Sequence, residues 1–181
     1  MHKNCVILAG GKSSRMKSDK TILKFGNFPT ITHFLHLKMS KIFENVFVSC
    51  KNDKFDGEFE ILKDDFEIFS PLFAIGQSLK KIGEKTFIIA ADIPFARNET
   101  IDLLDSFNGD IIAPKTEKIH WLCAFYDAKI SEILINLAKN GEHKIGNLQN
   151  FLDCKIVNFK SDEFENLNTQ EDYKKALKWK I

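Results

Sequence analysis

The segment "LAGGKSSRMKSDK" from Leu8 to Lys20 follows the apolar run "NCVIL" and combines adjacent glycines, adjacent serines and four cations. Gly10 and Gly11 can take backbone angles closed to other residues, so that consecutive N–H groups turn inward around an anion. Ser13 and Ser14 add hydroxyl donors, and Arg15 and Lys20 add charge-assisted contacts to more than one phosphate. A triphosphate needs about this much compensation. Two common phosphate loops are excluded by position: a Walker A loop would need its first glycine where Val6 stands, and no G-x-G-x-x-G follows a strand. The competing reading is a solvated, lysine-rich surface loop. Placement at the carboxyl end of a core strand favours the anion cradle.

The run "TFIIAADIPF" ends its apolar stretch in one acid, Asp92. A carboxylate at a strand's carboxyl end faces the same crevice as the first loop. One carboxylate plus substrate phosphates is the usual donor set for magnesium, so Asp92 is the candidate metal ligand. Taken alone, it serves equally well as an aspartate capping the turn before Asn98.

These groups must meet an anion locally, because the 181-residue chain has a formal net charge of only +1 and no global field for nucleic acid or an anionic membrane. Arginine, the side chain best suited to forked phosphate contacts, occurs only at Arg15 and Arg97. Cys5, Cys50, Cys123 and Cys154 lie far apart, without a C-x-x-C pair or a zinc-like histidine spacing. They read as reduced thiols, three of them in buried apolar runs. The amino-terminal apolar run is too short for a signal peptide and no stretch reaches membrane-spanning length, so a cytoplasmic location is expected. The phenylalanines of "FDGEFEILKDDF" sit among acids and not at base-stacking spacing, which argues against RNA.

What must position the loop and the acid is a set of crossover units within one domain, residues 1–181. Non-alternating apolar runs at Cys5 to Ala9, Val46 to Cys50 and Thr86 to Ala91 predict strands covered on both faces. A helix is predicted from Thr30 to Phe43, and another after Ser70 as N-cap with Pro71 at the first helical position. The order strand, helix, strand, strand, helix, strand implies a mainly parallel α/β sheet with sites at its carboxyl edge. Further on, "DIIAP", "WLCAFYD" and "KIVNF" read as strands, Ala128 to Asn140 as a helix and Ile145 to Leu152 as a shorter helical stretch. Thr169 and Asp172 have capping-box spacing before a last helix.

Together, "LAGGKSSRMKSDK", "SPLFAIGQSL", "AADIPF" and "NLNTQEDY" resemble the molybdenum cofactor guanylyltransferase family, within the nucleotidyltransferases of Rossmann-like, three-layer α/β fold with helices on both faces of a mainly parallel sheet. The resemblance implies transfer of GMP from GTP, with Mg2+, to the terminal phosphate of molybdenum-molybdopterin, releasing pyrophosphate. It further implies that Leu8, Ala9, Gly10 and Gly11 frame the nucleotide and that Arg15 and Lys20 neutralise its phosphates. Asp92 would hold the metal and contact the nucleotide, and Asp64 and the position of Ser49 would lie on the guanosine side. Asn166, Asn168 and Lys144 would serve the reacting phosphates and the pterin substrate. The implied partners are GTP and molybdenum-molybdopterin, with molybdoenzyme maturation proteins as further contacts of a monomer.

The chain departs from the family pattern in places. Ser70 and Ala74 stand where the pattern has glycines, Ser49 where it often has asparagine, and Trp121, after His120, where proline is common. These changes bear on base selectivity and pterin docking more than on nucleotidyl transfer. A related enzyme using CTP or a sugar phosphate, or a nucleotide-binding regulator without turnover, are the rival readings. His120 could touch the substrate, but a lone histidine entering a strand reads rather as structural or merely exposed.

Overall fold

The non-alternating run after His2 becomes β1 (His2–Leu8), whose Cys5, Val6 and Ile7 are fully buried. The computed structural model describes residues 1–10, 19–63 and 70–178. Around β1 the chain forms β2 (Phe43–Cys50), β3 (Glu60–Lys63), β4 (Thr86–Ala90), β5 (Ile111–Lys115), β6 (Cys123–Tyr126) and β7 (Cys154–Asn158). Among the described residues these strands make one sheet in the order β3-β2-β1-β4-β6-β5-β7. β1 pairs in parallel with β2 and β4, β2 with β3 and β5 with β7, whereas β6 runs antiparallel to both β4 and β5.

Both faces are covered, as the unbroken apolar runs require. Cys5 and Ile7 enter a core with Leu35 and Met39 of α1 (Ile31–Met39) and with Ile101 and Leu104 of α3 (Asn98–Asp105). Val6 points to the other side, into a core with Leu72, Ile75 and Leu79 of α2 (Pro71–Ile82) and with Leu134 and Ile135 of α4 (Ser131–Lys139). The α2–α4 crossing depends on Gly76. A Cβ there would lie 2.9 Å from the Ser131 carbonyl oxygen and 2.9 Å from Ile135 Cγ1.

Several elements differ from the sequence reading. The first helix stops at Met39, because the backbone turns at Ser40 and Phe43 already pairs with His2 in the sheet. Residues Ala128–Ile130 form a 3-10 turn ahead of α4, and Ile145–Asn150 is likewise 3-10. Helix α3 was not expected, since its buried positions Thr100, Ile101 and Leu104 span little more than one turn. The predicted capping box is present at the head of α5 (Gln170–Ala176): Thr169 accepts from the Asp172 N–H and Asp172 from that of Thr169. Cys5, Cys50 and Cys123 are buried and Cys154 is half-buried, none of them in a disulfide among the described residues.

Candidate active site

Parallel pairing sets Leu8 abreast of Ser49 and Ala90, so the carboxyl ends of β1, β2 and β4 lie side by side. The chain stays tied as it leaves the sheet: the Ala9 N–H donates to the Ser49 carbonyl at 2.9 Å and the Ala91 N–H to the Leu8 carbonyl at 3.1 Å. Leu8 is half-buried, Ala9 buried and Gly10 exposed. The glycine stretch therefore emerges at the end of β1 beside the strand that leads to Asp92. Gly11 and Arg15 of the cradle, and Asp64 after β3, lie outside the described residues. Ser49 is 1% exposed, and its carbonyl accepts from the Ala9 N–H at the start of the loop.

Lys54, a residue that no sequence motif singled out, joins the two flanks of the segment between Gly10 and Asp19. Its Nζ donates to the Ala9 carbonyl at 2.9 Å and pairs with the Asp19 carboxylate. Asp19 in turn accepts from the N–H and Oγ1 of Thr21, at 3.0 and 2.7 Å. Partial burial pushes the Asp19 carboxyl up, but the bonds from Lys54 and Thr21 and the lysine's charge outweigh it and hold the group below its ordinary value. The backbone of Lys20 opens a 3-10 turn (Lys20–Ile22) directly after this clasp. It is thus returned to the end of β1.

Asp92 stands half-buried two residues beyond β4. Asn166 Nδ2 donates to its Oδ1 at 3.2 Å, and the Leu167 N–H donates to its backbone carbonyl at 2.8 Å. Glu163 fixes the segment that delivers Asn166. Its carboxylate, 3% exposed, accepts from the Arg97 N–H at 2.6 Å and from Thr100 Oγ1 at 3.0 Å, and so anchors the head of α3, where Arg97 makes no side-chain cap bond. Next to it, fully buried Phe164 stacks on His120 with ring centroids 4.9 Å apart. Burial, with the charge of Lys118 adding to it, lowers the His120 pKa. The ring is packed in the interior rather than exposed.

A separate small core locks these pieces together. Phe25, Ile31, Leu167 and Ala176 are buried in it, with Phe34, Phe95 and Tyr173 packed around them. Tyr173 Oη also donates to the carbonyls of Leu23 and Lys24. The segments following Lys20, Asp92 and Asn166 therefore converge on one apolar cluster. Asn168 is half-buried, its N–H donating to Asp172 Oδ2 at 3.0 Å. Lys144 is exposed on the loop after α4, where its N–H donates to Glu142 Oε1 at 2.7 Å; it makes no hydrogen bond to Asp92 or Asn166. Asp92 and Asn166 are brought together by a hydrogen bond, and Lys144 is not hydrogen-bonded to either.

Asp92 suits a hard divalent cation. Among the described residues no three His, Cys, Asp or Glu side chains are grouped to hold a metal. The remaining ligands would then be substrate phosphate oxygens and water, as is common for magnesium. No helix among the described residues is long and apolar enough to cross a membrane.

The arrangement has close relatives. Residues 5–153 match the family described as the MobA-like NTP transferase domain. A molybdenum cofactor guanylyltransferase of Campylobacter jejuni subsp. doylei is 41% identical over 180 residues, covering 95% of this chain and 94% of the relative. The protein of that name from Helicobacter pylori strain J99 is 29% identical, covering 96% and 87% of the two chains. The crystal structure of molybdopterin-guanine dinucleotide biosynthesis protein A from Archaeoglobus fulgidus superposes with a TM-score of 0.82 at 21% identity, covering 96% of each chain. At that identity it is the fold that is shared.

Proposed function

The chain belongs to the family of MobA-like NTP transferase domains and is a nucleotidyltransferase; we propose that its reaction is transfer of GMP from GTP to the terminal phosphate of molybdenum-molybdopterin. The observation that carries this reading is the junction of the β1 and β4 ends, where the Ala91 N–H meets the Leu8 carbonyl and the glycine stretch opens beside Asp92. The name shared by relatives in Campylobacter and Helicobacter supplies the substrates.

In this reaction an oxygen of the pterin's terminal phosphate attacks the α-phosphorus of GTP. The bond from that phosphorus to the bridging oxygen breaks, and pyrophosphate leaves. The attacking oxygen is already anionic, so the protein needs no general base. It supplies alignment and charge neutralisation. We assign Leu8, Ala9, Gly10 and Gly11 to nucleotide binding, Arg15 and Lys20 to neutralising its phosphates, and Ser49 and Asp64 to recognition of the guanosine side. Asp92, oriented by Asn166, holds Mg2+, which when bound neutralises charge on the phosphates. Asn166, Asn168 and Lys144 serve the pterin substrate. We assign the whole of residues 1–181 to one domain, acting as a cytoplasmic monomer.

Pyrophosphate release, measured with molybdenum-molybdopterin and with GTP or CTP in turn, tests this. Release with GTP alone is the expected result. Release with CTP alone would make the enzyme a cytidylyltransferase, and release with neither would leave a nucleotide-binding regulator.

A further inference from the structure

Ile31, Leu35 and Lys38 follow one another at i, i+4 and i+7 along α1, so a lysine stands on the stripe that buries Ile31 and Leu35. Lys38 is itself half-buried. Packing alone would be served there by an apolar side chain, because an ammonium drawn out of water costs free energy unless it finds a hydrogen bond and an opposite charge. Lys38 finds both. Its Nζ donates to the carbonyl of Pro94 at 3.0 Å, 56 positions away in the chain. Burial pushes the pKa of the amine down, and the charge of the Glu163 carboxylate, only 3% exposed, pulls against it.

The place of that bond is informative. Pro94 is buried and lies two residues beyond Asp92. The turn between them has backbone ties from two other directions: the Ile93 N–H donates to the Ala90 carbonyl at 3.0 Å, and the Asp92 carbonyl accepts from the Leu167 N–H. Farther along, Glu163 holds the Arg97 N–H. These bonds come from the end of β4 and from the segment beyond β7. Lys38 adds a tie from α1, a third element. A buried carbonyl must have a donor, so removing this one leaves the Pro94 peptide free to tilt and to carry the Asp92 side chain with it.

We infer that Lys38 is a positioning residue: by holding the Pro94 carbonyl it fixes the turn from which Asp92 meets a divalent cation. This rests on the reading of Asp92 as the metal ligand of a nucleotide site. The effect reaches the metal through the backbone of the turn, as the partners of metal ligands tune affinity without touching the ion.

The test compares the wild type, Lys38→Met and Lys38→Arg by titration calorimetry with GTP, once with Mn2+ and once with EDTA, beside the melting temperature of each free protein. Methionine keeps an unbranched stem and a good helix propensity while removing the donor and the charge. Lys38→Met is expected to weaken binding of GTP with Mn2+ about five-fold and to leave binding of GTP with EDTA unchanged. Lys38→Arg, which keeps donor and charge, should stay within about two-fold of the wild type in both. A purely structural lysine would shift the melting temperature and leave the ratio of the two affinities at its wild-type value, so an unchanged ratio in Lys38→Met overturns the inference. An equal loss in the arginine variant also overturns it, since repacking of α1 would then account for the effect. Asp92→Asn separates the inference from the reading beneath it. If that variant keeps the full advantage given by Mn2+, Asp92 is no metal ligand and both fall; if it loses the advantage while Lys38→Met retains it, the role of Lys38 alone falls.

Discussion

Asn166 and Asp92, 74 positions apart, are joined by a hydrogen bond of 3.2 Å from the amide to the carboxylate. The bond aims an acid at the end of β4 with a side chain delivered from beyond β7, so two distant stretches of chain share one functional group. Asp92→Ala is expected to lower turnover by about 100-fold or more, the scale of losing a metal or charge-stabilising contact in phosphoryl transfer. Asn166→Ala removes the bond that orients Asp92 together with the contact proposed to the pterin substrate, and should cost about ten-fold. Steady-state pyrophosphate release with unchanged circular dichroism checks both. Wild-type turnover in the Asn166 variant would remove both roles.

Lys54 and Asp19 are both part-exposed, so solvent screens their pairing and its stability contribution stays below about 1 kcal/mol. Its sign with pH is definite. The folded Asp19 carboxyl lies below its ordinary value, so the stabilisation is complete above the unfolded carboxyl's pKa and is lost as pH falls through the folded one. Urea midpoints of the wild type and Asp19→Asn should differ at neutral pH and converge on acidification. A constant difference would remove this account.

The same clasp predicts a functional effect larger than its stability effect. Lys54→Met unlinks Asp19 from the Ala9 carbonyl, so nucleotide binding must then meet the entropy of bringing these two positions together. A raised KM for GTP with kcat nearly retained is the expected signature. A fall in kcat at constant KM would instead place Lys54 among the groups that act in the transition state.

Glu163 reaches across 66 residues to the N–H of Arg97. Glu163→Ala strands that N–H and the Thr100 hydroxyl in a buried setting, at a cost of about 1–3 kcal/mol. Chemical denaturation measures it. A variant as stable as the wild type would show that water replaces the carboxylate at the head of α3.

Gly76→Ala tests the α2–α4 contact. In an exposed helix the change would stabilise the protein by helix propensity alone. Here the added Cβ meets a backbone carbonyl and a packed isoleucine at 2.9 Å, and overpacking costs about 1–3 kcal/mol, so the melting temperature should fall.

The sequence by itself determined the features carried by local chemistry. The runs from Cys5 to Ala9 and from Thr86 to Ala91 are apolar on both faces, and a strand of that kind must lie inside a parallel sheet between helix layers. The same runs fix where the chain must leave the sheet, so the glycine stretch and Asp92 could be placed at one edge before any coordinates. Pro71 marked the start of α2, and Thr169 with Asp172 marked that of α5. Tertiary structure alone decided the rest. The antiparallel pairing of β6 with β4, the Lys54 clasp, the anchoring of the head of α3 by Glu163 and the meeting of Asn166 with Asp92 join residues 34 or more positions apart, and no periodicity records such pairings. Ser70 shows the division most sharply: sequence placed it at the helix start, but only packing could bury its hydroxyl and leave it without a partner among the described residues.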